Sequence, residues 1–224
     1  MPADISDHLH LGCGLTAPPG WLNVDGSFQV TLAKHAWLKA LLRIAGLQSR
    51  EQGTIPWSAN IVRLDLGRPL PFPDGCFTAV YSSHVLEHLH HDQALALLRE
   101  CHRVLRPGGI CRAVVPDLEA VVKRYVMAKA ASESHAGTRM MEDLMVHDKQ
   151  RAGGLLGMYY RWTAYHQHKW MYDASSLAQL FAAAGFGEVQ SAECLESRIG
   201  RIAEVENPER VLNGQGIAVE GAKK

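Results

Sequence analysis

The stretch that decides the fold is residues 8–25, HLHLGCGLTAPPGWLNVD. It holds two short apolar runs, each ending at a turn. The first, around Leu9 and Leu11, runs into Gly12-Cys13-Gly14, and the second, residues 21–24, runs into Asp25. A strand that stops at a glycine-rich turn lets backbone N–H groups approach a ligand closely, because no Cβ intervenes. An acidic residue closing the next strand is placed to accept hydrogen bonds from ribose hydroxyls. A plain strand, tight turn and strand would satisfy a lone Gly-x-Gly equally well, so the rest of the chain has to decide.

Outward from this stretch, strand and helix patterns alternate. Residues 28–44 place Leu32, Ala36, Leu38, Leu41 and Leu42 mostly on one face at helical spacing, and residues 48–58 read as a loop. Residues 60–66 predict a short strand carrying Asp65, and the Pro- and Gly-rich residues 67–76 predict a loop. A buried strand is expected over 77–82. A helical stripe follows from His84 to Leu105, broken near His90-His91-Asp92, where Asp92 is a candidate cap. Residues 106–109 end it, and 110–115 form the next strand, closed by Pro116-Asp117. Helices are expected over 118–127 and 173–184, the second capped by Asp173 or Ser175 and stopped at Gly185. Residues 187–193 and 215–221 read as two last strands, and the charged interval 197–213 as a surface connection.

Such alternation argues for a doubly wound α/β fold with a mostly parallel sheet. Ligands then lie beyond the carboxyl ends of the strands, where Gly12 to Gly14, Asp25, Asp65 and Ser82 to His84 would converge. At 224 residues the chain suits one domain spanning 1–224, with 118–172 as a helical cap inserted over the substrate. Lysine plus arginine equals aspartate plus glutamate, 23 against 23, so no overall field draws nucleic acid or an acidic membrane. The five cysteines are scattered without a C-x-x-C, which fits a reducing, cytoplasmic compartment. No apolar run approaches the roughly 20 residues of a membrane span.

The pieces LHLGCG, NVD, LPFPDGCFTAVYSSHVLEHL, LRECHRVLRPGGICRAVVPD and LAQLFAAAGF, in this order, resemble the class I S-adenosylmethionine-dependent methyltransferases, in particular the type 11 group. The resemblance covers most of residues 9–190. It implies a Rossmann-like, doubly wound sheet of seven strands with one antiparallel, and S-adenosyl-L-methionine as cofactor. It also implies that Leu11, Gly12, Cys13 and Gly14 lie against the amino-acid end of the cofactor and that Asp25 binds the ribose. Asp65 and Leu66 fall at the adenine, and Ser82, Ser83 and His84 border the methionine part. The chain departs from the family pattern in two places: the third glycine of the usual loop is missing, Thr16 standing near its place, and only residues 15–20, with Pro18-Pro19, separate the glycine turn from the acidic strand, too few for the usual helix. The first helix is therefore expected to be missing or shortened, with residues 28–44 covering the space.

Methyl transfer from a sulfonium is an in-line displacement, so the protein has mainly to align the partners and exclude water. A base is needed only where the acceptor must lose a proton, and histidine, with a pKa of about 6.5, suits that work. The candidates are His84 and His88, one turn apart on an expected helix face, His166 and His168, and Asp117 at a strand end. Each has a plain reading beside it: helix-face packing for His88, a surface loop for His166 and His168, a helix N-cap for Asp117. The aromatic set Tyr159, Tyr160, Trp162, Tyr165 and Trp170 reads either as a wall for an organic substrate or as the cap's own small core. A small-molecule or sugar-related acceptor is expected, with nucleic acid disfavoured by the neutral charge and no membrane partner. No residue is assigned as a metal ligand.

Gly12-x-Gly14-x-x-Ala17 formally fits the dinucleotide fingerprint of a nicotinamide-binding oxidoreductase, but Asp25 arrives too soon for that class, and two further rival classes stand beside this reading. His84-Val-Leu-Glu87-His88 fits the H-x-x-E-H pattern of a zinc peptidase group, in which two histidines one helical turn apart share a metal. The fold is also compatible with a non-catalytic binding protein.

Overall fold

The computed structural model describes residues 6–44, 56–146 and 167–224. They form a seven-stranded sheet in the order β3-β2-β1-β4-β5-β7-β6. The strands are β1 His8–Leu11, β2 Leu22–Asp25, β3 Val62–Arg63, β4 Phe77–Ser83, β5 Leu105–Pro116, β6 Gly187–Ala192 and β7 Gly216–Ala222. β1 to β5 pair in parallel, and β7 runs antiparallel to both β5 and β6. This is the Rossmann-like arrangement that the sequence predicts.

The helices are α1 Phe28–Lys34, α2 Ala36–Ile44, α3 His91–Val104, α4 Leu118–Ala130, α5 Ala136–Leu144 and α6 Ala174–Ala183. On α3, Ala94, Leu97, Leu98, Cys101 and Val104 recur at spacings of three and four, so one stripe is buried. That stripe and Leu177, Leu180 and Phe181 of α6 cover the sheet face made by Leu9, Leu11, Val80, Ala113, Val115 and Val219. α6 starts at a reciprocal cap, with Ser176 N–H donating to Asp173 Oδ1 at 2.7 Å and Asp173 N–H to Ser176 Oγ at 3.0 Å. Gly185, at φ +102°, follows its end.

The opposite face is built differently from the expectation. Ala79, Tyr81, Val114 and Ala218 pack against Trp21, Ile199, Ile202, Val205 and Val211. Residues 197–213 are therefore a packed layer rather than a surface connection. They also take the cover that the sequence assigned to residues 28–44. Val30 of α1 instead forms a separate small cluster with Cys13 and Ile61. The layer is pinned by Arg112, whose Nε and Nη2 each donate to Glu206 at 2.7 Å, Nη1 to Glu220 at 3.1 Å, and Nη1 and Nη2 to the carbonyls of Glu196 and Glu193. A charge in the middle of a buried strand has to find such partners.

Four local expectations are also corrected. The helix over 28–44 breaks at His35 into α1 and α2. The strand over 60–66 shrinks to the two exposed residues of β3 at the sheet edge. The stretch after β4 is no continuous helix: His84 takes φ +55°, Leu86–His88 make one 3-10 turn, and the cap of α3 is His90 rather than Asp92. Gln93 Oε1 accepts the N–H of His90 at 3.2 Å there, satisfying a donor that Asp92 cannot reach from inside the first turn. Residues 106–109 belong to β5 as a bulge, because Leu105 pairs with Phe77 and Ile110 with Ala79. Among the described residues, no helix is long and apolar enough to cross a membrane.

Candidate functional site

β1 lies between β2 and β4, and the chain leaves it through the glycine turn. Gly12 and Gly14 both take positive φ, +63° and +54°. Cys13 N–H donates to the carbonyl of Val24 at 3.1 Å, and Gly14 N–H donates to Asp25 Oδ2 at 2.9 Å. Asp25 Oδ1 accepts the N–H of Ser27 at 2.7 Å. One carboxylate thus ties the turn after β1 to the end of β2, and each of its oxygens keeps lone-pair capacity. A Cβ on Gly12 would lie 2.3 Å from Val85 Cγ2, whereas a Cβ on Gly14 would meet nothing within 4 Å. The turn is backed by Val85 and open at Gly14.

The other expected residues take their places along the same strand ends. Leu11 pairs with both Val24 and Ser82, and its side chain is fully buried in the core. Cys13 is buried too, and burial, with Asp25 beside it, pushes its thiol up to about 12, so it stays protonated. Leu64 N–H donates to the carbonyl of Asp25 at 3.1 Å, which brings Asp65 and Leu66 alongside. Asp65 is engaged locally, accepting from Gly67 N–H at 3.0 Å and pairing with Arg68 at 3.2 Å. Ser82 and Ser83 are buried, and Ser83 Oγ has no hydrogen-bond partner among the described residues.

His84, His88 and His168 come together around a residue that the sequence reading named only as part of a pattern, Glu87. Glu87 is fully buried, and His84 Nδ1 approaches its Oε1 at 3.1 Å, off the line of a hydrogen bond. Neither Glu87 oxygen has a hydrogen-bond partner among the described residues. Lys169 N–H and Trp170 N–H donate to the Glu87 carbonyl at 2.7 and 3.2 Å, clamping residues 167–170 onto the turn after β4. His88 Nδ1 lies 3.2 Å from the Gln167 carbonyl, His168 Nδ1 lies 2.9 Å from the Leu144 carbonyl, and the two rings stand 5.1 Å apart. Burial lowers the His168 pKa, against the raising effect of Glu87. The Tyr172 hydroxyl is buried without a partner among the described residues, and burial, with Glu87 nearby, raises its pKa.

Asp117 and His166 are the remaining candidates. Asp117 caps α4, accepting from Glu119 N–H at 2.9 Å, so its plain reading is the one observed. His166 lies outside the described residues, as do Tyr159, Tyr160, Trp162 and Tyr165. The expected common helix face for His84 and His88 is replaced by a left-handed residue and a 3-10 turn, so the helix that a zinc peptidase needs for H-x-x-E-H is not formed. Sequence reasoning missed the joining of His88 to His168, because residues 80 apart carry no spacing signal.

Residues 9–113 match the family model described as a methyltransferase domain, which bears out the resemblance seen in the sequence. No match was found among curated proteins. Similar solved structures include a SAM-dependent methyltransferase from Thermotoga maritima, at 17% identity over 97% of this chain and 81% of that one, with a TM-score of 0.46. A SAM-dependent methyltransferase from Archaeoglobus fulgidus aligns at 15% identity over 96% and 85%, with a TM-score of 0.48. The methyltransferase bound to the Trm112 activator of Haloferax volcanii aligns at 17% identity over 100% and 85%, also with a TM-score of 0.48.

Proposed function

We propose that this chain is an S-adenosylmethionine-dependent methyltransferase acting on a small-molecule or sugar-related acceptor. The observation that carries the proposal is the bond from Gly14 N–H to Asp25 Oδ2. It sets an open glycine turn and a carboxylate with spare lone pairs side by side at the carboxyl ends of β1 and β2, where a doubly wound sheet binds its ligand.

In this reading Gly12, Cys13 and Gly14 offer backbone to the amino-acid end of the cofactor, and Asp25 accepts from the ribose hydroxyls. Asp65 and Leu66 flank the adenine. Ser82, Ser83 and His84 border the methionine part, where the unpartnered Ser83 Oγ offers a polar contact. The cofactor, when bound, supplies a methyl group on a sulfonium that needs no further activation. The chain's own work is to align the acceptor and keep water out. His84, at the end of β4, is the base candidate on this side, with its Nδ1 3.1 Å from Glu87 Oε1. Residues 118–172 would serve as the cap over the acceptor.

The test is calorimetric titration of the purified protein with S-adenosylmethionine and its demethylated product. Saturable binding is expected. The absence of binding up to millimolar cofactor overturns the reading.

A further inference from the structure

We propose that Glu87, His88 and His168 bind one divalent first-row transition-metal ion. One potential ligand atom from each of the three lies within 4.8 Å of the others. Ligands held about 2.1 Å from a common tetrahedral ion stand about 3.4 Å apart, so the set has to close by up to about 1.4 Å as the ion enters.

Three features of the cluster point to an ion rather than to a packing accident. First, the imidazoles are already oriented. A carbonyl can only accept, so His88 Nδ1 must donate to Gln167 and His168 Nδ1 to Leu144, which leaves Nε2 of each ring as the lone-pair nitrogen. A hydrogen bond from the other ring nitrogen is how proteins fix metal-binding histidines. Second, Glu87 has no exposed surface and no hydrogen bond to either oxygen among the described residues, and His84 Nδ1, 3.1 Å from Oε1, reaches only one of the two oxygens. A buried carboxylate in that state is costly unless a cation or proton joins it. Third, the backbone bonds from Lys169 and Trp170 to Glu87 hold the strand end and the distant segment in one place without using the three ligand groups.

Two imidazoles and one carboxylate favour zinc, cobalt, iron or manganese over magnesium or calcium, and three protein ligands leave open positions on the ion. The site follows β4 directly, with Val85 between it and Gly12. If methyl transfer takes place at that turn, an acceptor oxygen could occupy an open position and have its pKa lowered there. The ion site itself does not depend on that reading.

The full chain is treated with chelator, dialysed, and titrated with Zn2+ and Co2+, with the Co2+ ligand-field spectrum recorded. One equivalent should bind at micromolar affinity or better, and thermal unfolding should shift upward with bound metal. Glu87→Gln and His168→Ala should each weaken that binding by about 10-fold or more and abolish the metal-dependent shift. If Glu87→Gln fails to fold, His168→Ala, outside the sheet, carries the test. Binding below one equivalent, or affinity unchanged in the variants that fold, overturns the proposal by assigning the metal to other histidines or to none. Cofactor titration of the same preparations separates the readings, since metal binding without cofactor binding defeats only the methyl-transfer assignment.

Discussion

Arg112 and Glu206 meet with both side chains at zero exposure, the guanidinium forking onto the carboxylate through two bonds of 2.7 Å. Breaking one side of such a pair leaves an uncompensated buried charge, at a cost of about 3–5 kcal/mol. Arg112→Ala should lose stability on that scale in urea unfolding and expose residues 193–206 to proteolysis, whereas Glu206→Gln, which leaves Arg112 paired with Glu220 at 3.1 Å, should lose less. A loss below about 1 kcal/mol in both would show that the layer is held by its apolar contacts alone.

Gly12→Ala is predicted to be damaging for two separable reasons. Its Cβ would overlap Val85 Cγ2, and its φ of +63° is unfavourable for alanine by about 1–2 kcal/mol. Adding Val85→Ala should relieve the overlap but not the backbone term, so the double variant should recover only part of the stability measured by thermal unfolding. Full recovery would mean that the turn tolerates an L-residue.

Asp25→Ala removes the acceptor for Gly14 and Ser27 as well as the proposed ribose contact. Hydrogen bonds to a charged acceptor are worth about 1–3 kcal/mol, so the cofactor dissociation constant should rise by roughly 5- to 150-fold. An unchanged constant would place the ribose elsewhere.

His10 sits on the face covered by residues 197–213, and burial pushes its pKa down to about 4, with Asn23 opposing and Arg210 assisting. The unfolded chain therefore takes up the proton first. The stability associated with neutral His10 is complete above about pH 6.5, falls as pH drops through that value, and has gone by about pH 4. The shift corresponds to about 3 kcal/mol. His10→Gln should flatten the stability profile between those two pH values while leaving the slope below pH 4 in place.

The α/β alternation and the turns that end β1, β2 and β4 were legible in the sequence because glycine, acid and apolar run stand close together in the chain. The α3 stripe and the α6 cap were legible for the same reason, each being written in local spacing. What was not legible depends on distant partners. Ile202 lies on a 3-10 turn, Val205 and Val211 flank such turns and Ile199 sits in a bend before them, with no 3.6-residue period, so their burial showed no pattern. Arg112 gave one usable signal, a charge inside the apolar run ICRAVV, but nothing in the sequence said that Glu206 and Glu220 answer it. Glu87 was visible only within H-x-x-E-H, and the left-handed turn at His84 changed which of those residues face each other.

The placement of β7 has a bearing on how the chain is made. Residues 216–222 are synthesised after the other six strands, yet they lie between two of them. Until they emerge from the ribosome, β5 and β6 share no neighbour, and Arg112 lacks Glu220. A nascent chain therefore carries β5 as an open flank able to pair with another copy. Closure of the sheet is a single late insertion, and chaperone protection would matter most just before it.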